Sequence, residues 1–65
     1  MIGQLAKEHL GLRLPCGVLI CGKGYYIGTA DDSGPVSRES IETYNTEVEA
    51  YYALTNNTFT QKMDL

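Results

Sequence analysis

The chain has 65 residues, of which 43% are apolar, and a net charge of −3. That allows one domain, residues 1–65, with a small core, because a chain this short buries only about 60% of the surface it exposes when unfolded. The composition excludes a disordered polyelectrolyte, and no apolar run reaches the roughly 18 residues that a membrane-spanning helix needs.

Charge is unevenly spread. Residues 1–24 carry +2, whereas residues 25–49 carry −5 through Asp31, Asp32, Glu39, Glu42, Glu47 and Glu49 against Arg38. Such an acidic zone repels phosphate backbones and attracts basic surfaces.

In chain order, "IGQLAKEHL" places Ile2, Leu5 and His9 at helical spacing, and Gly11 follows as a stop. So short a helix must lie on something to persist. Lys7 and Arg13 interrupt the apolar character of this segment, and a signal peptide would need a longer unbroken run, so the expected compartment is cytoplasmic. "LRLPCGVLIC" reads as a buried strand over residues 12–21, with Cys16 and Cys21 as small buried hydrophobes on opposite faces. "GKG" is a turn into a second strand, "YYIGT". "ADDSGP" is a second turn, and "VSRESIETY" is a third strand. Neither face of that third strand is strongly apolar. It reads as an edge on which Arg38 and Glu39 discourage aggregation.

Thr46 and Glu49 form a capping box that starts a second helix. Its expected buried stripe is Val48, Tyr51, Tyr52 and Thr55, bordered by Leu54, and Asn56-Asn57 ends it. The tail "TFTQKMDL" contains a candidate short strand anchored by Phe59. The expected fold is α+β: a three-stranded antiparallel meander with one capped helix packed on one face and a short N-terminal helix.

The inventory for chemistry is thin. His9 is the lone histidine, and with Cys16 and Cys21 it makes three potential ligands where zinc takes about four, so no metal or other cofactor is expected. Asp31 and Asp32 are adjacent in a turn and diverge, and Ser37 and Ser40 have no evident base. "GKGYYIG" lacks the spacing of a phosphate loop and leads into a strand, and "NNT" at 56–58 is read as an accidental sequon. The expectation is a protein that is not an enzyme.

Five tyrosines exceed what so small a core needs as wedges. Adjacent strand residues point to opposite faces, so one of Tyr25 and Tyr26 packs under the helix and the other stands on the open sheet. An aromatic patch rimmed by acids suits a protein partner with a basic face.

"GYYIGTADDSGPVSRES", followed by "YNTEVEAYYAL", is similar to short bacteriophage and prophage proteins in which a Tyr-Ile-Gly-Thr strand and a Gly-Pro-Val-Ser-Arg-Glu-Ser strand precede a Thr-capped helix. The resemblance covers about residues 18–55, and the chain departs from it in having Val48 and Glu49 before Ala50. It implies a bacterial host and, for small acidic proteins of this kind, inhibition of host machinery such as a CRISPR effector; it transfers no catalytic residue.

The leading expectation is therefore an interaction module in which Tyr25, Tyr26, Asp31, Asp32, Arg38, Glu39 and Glu42 engage a basic, nucleic-acid-handling surface of a host protein. One alternative is a single-strand nucleic-acid binder that uses Tyr25 or Tyr26 with Lys23 and Arg38. Another is a virion assembly protein whose exposed edge strand pairs two copies. Unless the Phe59 tail closes it, the third-strand edge is expected to pair with a second copy in a homodimer or with a strand of the host protein.

Overall fold

The computed structural model describes residues 1–64. Helix α1 (Gln4–Leu10) is followed by strands β1 (Gly17–Cys21), β2 (Gly24–Asp31) and β3 (Gly34–Arg38) and by helix α2 (Glu47–Thr55). The strands form one antiparallel sheet in the order β1-β2-β3, the expected meander. Both hairpins have two-residue turns. Gly22-Lys23 joins Cys21 to Gly24, and Asp32-Ser33 joins Asp31 to Gly34. The Asp31 carboxylate accepts the Ser33 N–H at 2.8 Å, a local bond that competes with continued strand and so makes the turn.

Register assigns the faces. Val18 is opposite Ile27 and Ile20 is opposite Tyr25, so these four share one side with Thr29 and Ser37; Leu19, Tyr26, Gly28 and Arg38 share the other. Both helices cover the first side. There Leu5 and Ala6 of α1 and Ala50 and Ala53 of α2 close over Ile27. The core is small because α2 meets the sheet through alanines.

Several expected boundaries move. β1 begins at Gly17 rather than Leu12, because Pro15 cannot donate into a ladder; the preceding residues bridge to the N-terminus instead, with Cys16 N–H on the Met1 carbonyl at 2.7 Å and Gly3 N–H on the Leu14 carbonyl at 2.8 Å. Cys16 therefore lies outside the strand, and both cysteines are free and half-buried. Burial, and next the Glu39 charge, push the Cys16 thiol above its ordinary range.

β3 ends at Arg38, and the segment after it keeps the edge of β2 paired by other means. The Ile27 carbonyl accepts two N–H groups, from Glu39 (2.8 Å) and Ser40 (2.9 Å), while the Ile27 N–H goes to the Ser40 hydroxyl (3.0 Å). Tyr44 then exchanges two backbone bonds with Tyr25. A serine side chain thus stands in for a backbone carbonyl where the ladder is irregular.

The far side of this segment is closed by the tail. Thr60 accepts the Ile41 N–H at 2.9 Å, and Lys62 donates its N–H to the Glu39 carbonyl at 2.7 Å. The edge along residues 39–41 is therefore taken, while β3 itself is paired to a strand on one side only.

The α2 expectation holds at its ends and fails on its face. The Thr46 hydroxyl accepts the Glu49 N–H at 3.2 Å and donates to the Glu49 carboxylate at 3.1 Å, a variant of the box in which the glutamate meets the hydroxyl. At the other end Asn57 takes the left-handed conformation, φ 54°, and Thr58 and Asn57 donate to the carbonyls of Ala53 and Leu54. The buried side, however, is Ala50 and Ala53 with Leu54 half-buried, while Val48, Tyr51 and Tyr52 are 77%, 63% and 66% exposed. Alanines let the helix axis approach the sheet, and the larger residues on the opposite side face solvent.

Candidate functional site

The seven residues singled out from the sequence do not form one surface. Glu39 is the plainest correction: it is 0% exposed and lies under α1. Its Oε1 accepts the Leu5 N–H (2.9 Å) and the Gln61 side-chain amide (2.7 Å), and its Oε2 accepts the Ala6 N–H (3.2 Å) and the Ser37 hydroxyl (2.6 Å). A carboxylate only accepts, so Ser37 spends its proton there; Thr29, whose hydroxyl lies 2.6 Å from that of Ser37, is then the donor to Ser37. No buried polar side-chain atom among the described residues lacks a partner. Glu39 is a structural anion, neither an aggregation guard nor a docking residue.

Tyr26 and Arg38 are committed to each other. The guanidinium sits 5.7 Å from the Tyr26 ring centroid while donating to the carbonyls of Ser40 (2.8 Å) and Ile41 (2.6 Å). The ring lies close over Gly28 and is 9% exposed. Tyr25 is half-buried on the helix side. The sheet therefore presents no free aromatic platform with an adjacent free arginine, which is what base stacking by these residues would need.

Glu42 holds the tail, accepting the Thr60 N–H at 2.9 Å and its hydroxyl at 2.6 Å. Burial works to raise this carboxyl, but the Thr60 bonds and the Arg38 charge outweigh it and hold it below its ordinary range. Burial, with the Glu42 charge added, raises the Tyr44 hydroxyl. Asp31 and Asp32 alone of the expected acids are fully at the surface, in the β2–β3 turn.

The aromatic patch rimmed by acids exists, but on α2. Val48, Tyr51 and Tyr52 face outward, and Glu47 and Glu49, both exposed, interleave with them. Toward β1 this side of the helix opens into a groove of about 310 Å3 lined by Val18, Glu47, Val48 and Tyr51. Ile20, on the same sheet face as Val18, is 71% exposed. A second open groove, about 440 Å3, lies between the N-terminal residues Met1, Ile2 and Gln4 and the tail residues Asn57, Phe59 and Gln61.

No protein family, curated protein or solved structure matches the chain.

Ile20, Val48, Tyr51 and Tyr52 are surface residues where the sequence pattern predicts burial, and Val18 is half-buried beside them. The signal that would have found the α2 members is the second helical stripe, Ala50, Ala53 and Leu54, at the same spacing as the one favoured for its bulk. Among the described residues no group of three or more metal-ligating side chains comes together, and no helix is long and apolar enough to cross a membrane.

Proposed function

We propose that this chain is a non-enzymatic interaction module that binds a basic surface of another protein. The observation that carries the reading is the outward side of α2, where two tyrosines and a valine are exposed between two glutamates. Large aromatics left in water on a domain with so small a core stabilise nothing in the free chain; desolvated against a partner, they are the residue types that dominate binding energy. The interleaved carboxylates, with the negative zone of residues 25–49, select a positively charged partner and speed encounter with it. The similarity to small phage proteins supports a host protein as that partner. A surface that normally holds nucleic acid has the required charge, and occupying it would make the module an inhibitor.

The test is affinity capture from nuclease-treated bacterial lysate with the wild-type chain, a Tyr51→Ala/Tyr52→Ala variant and a Glu47→Lys/Glu49→Lys variant. The reading expects basic nucleic-acid-binding proteins to be enriched on the wild type and lost from both variants, and a purified captured protein to lose nucleic-acid binding when the module is added. Enrichment that is indifferent to both pairs of substitutions would sink it.

A further inference from the structure

We infer that the outer edge of β1 is a docking site for a β-strand of that basic partner. The inference rests on the function proposed above and adds the mode of binding.

Backbone directions follow from the register. In the two-residue hairpin, Cys21 and Gly24 exchange ladder bonds, as do Leu19 with Tyr26 and Gly17 with Gly28. Tyr25 and Ile27, the intervening residues of β2, turn their polar groups to the other side, where Tyr44, Glu39 and Ser40 meet them. By the same alternation Val18 and Ile20 direct their N–H and C=O groups away from β2. β1 ends the strand order, so no strand of the sheet lies there.

This edge differs from the opposite one. β3 also ends the strand order, but it carries Pro35, Arg38 and an irregular register opposite Thr29 and Ala30, and the residues after it, 39–41, are paired to the tail; before β1, Met1 and Gly3 pair with Cys16 and Leu14. Gly17–Cys21 itself carries no charge, proline or bulge, the devices with which edges are usually guarded. An added strand would lay alternate side chains over Ile20 and into the groove of Val18, Val48 and Tyr51, so backbone pairing and apolar burial coincide.

Charge chooses the occupant. Two copies of β1 paired antiparallel about Leu19 would set Val18 opposite Ile20 and bring two Glu47 carboxylates to adjoining grooves, between molecules of net charge −3 each. A strand with lysine or arginine at the position facing Glu47 meets that carboxylate favourably instead. The occupant is an alternating basic and β-branched segment of a different protein.

The experiment uses a capped synthetic peptide of alternating lysine and valine, the same peptide N-methylated along its centre, and a glutamate–valine counterpart, titrated into the full chain and followed by amide chemical shifts. The lysine–valine peptide is expected to move the Val18 and Ile20 amides. Ile20→Pro, which removes an N–H outside the β1–β2 ladder, should weaken it by about tenfold, as should N-methylation, the loss expected for one or two hydrogen bonds. Glu47→Lys should reverse the preference between the two charged peptides. Absence of peptide binding, equal binding of the N-methylated form, or equal affinity for both charges overturns the inference. So does a wild-type dimer in light scattering that Ile20→Pro converts to monomer, because the occupant is then a second copy. The N-methylated peptide keeps the test valid should Ile20→Pro fail to fold. If lysate capture of basic proteins survives Ile20→Pro yet is lost in Glu47→Lys/Glu49→Lys, the interaction function stands and the edge mechanism falls.

Discussion

The Glu39 carboxylate caps α1 from outside the helix, accepting the Leu5 N–H at 2.9 Å from a position 34 residues further along the chain. α1 has no cap of its own, since Gly3 has no side chain to offer. Glu39→Ala strips acceptors from buried N–H and hydroxyl donors at once. It should lower stability by about 2–4 kcal/mol, more than one unsatisfied group costs, as read from urea unfolding.

Acid should reveal the same residue. Burial works to raise the Glu39 carboxyl, but bonds from Leu5, Ser37, Gln61 and Ala6 outweigh it and hold the folded value below the ordinary 4.5. Its contribution is therefore complete above the ordinary carboxylate range and is lost as pH falls through the depressed folded value. Unfolding free energy measured from neutral pH downward should show a steeper acid limb for the wild type than for Glu39→Gln. Parallel limbs would place the acid sensitivity elsewhere.

At the start of α2, Thr46→Ala removes the hydroxyl that accepts the Glu49 N–H and should cost roughly 1 kcal/mol by the same unfolding measurement. Thr46→Ser should restore most of it.

Two glycines should respond in opposite ways to alanine. A Cβ on Gly3 would run into the Thr29 methyl and approach Glu39 Oε2 to 2.8 Å, whereas one on Gly17 meets nothing within 4 Å. Gly3→Ala should destabilise by about 1–3 kcal/mol as α1 is levered from the sheet, and Gly17→Ala should be neutral or slightly stabilising. Thermal unfolding of the pair side by side is the check.

Tyr51→Ala and Tyr52→Ala should each change stability by no more than about 0.5 kcal/mol, because both rings are largely in water. Loss of partner capture in these folded variants then reads out binding alone.

A labelled single-stranded oligonucleotide should show no micromolar binding at low salt by fluorescence anisotropy. The Arg38 guanidinium and the Tyr26 ring are already spent on each other, and the surrounding zone is acidic.

What could be read in the sequence were features whose cause lies within a few residues. The Thr46 cap, the stop at Gly11 and both turns depend on bonds between near neighbours, and each is where its local signal puts it. Glu39 was opaque for the opposite reason. Its donors come from Leu5 and Ala6 on one side and Gln61 on the other, and nothing in "SRES" distinguishes a carboxylate in water from one that caps a remote helix. On α2 bulk is no sign of burial, because close helix–sheet approach selects for alanine at Ala50 and Ala53. With Tyr51 and Tyr52 outside, the candidate site lies on the helix and the neighbouring edge rather than on the sheet.

The tail that lies along residues 39–41 has a consequence for biosynthesis. Gln61, which completes the Glu39 cluster, is 22 residues downstream, and the partners of the Ile41 N–H and the Glu39 carbonyl, Thr60 and Lys62, come from the same segment. As the chain leaves the ribosome, Glu39 and the outer side of residues 39–41 therefore lack these partners until that segment has emerged. A single late segment thus completes both the buried anion cluster and the outer pairing of residues 39–41.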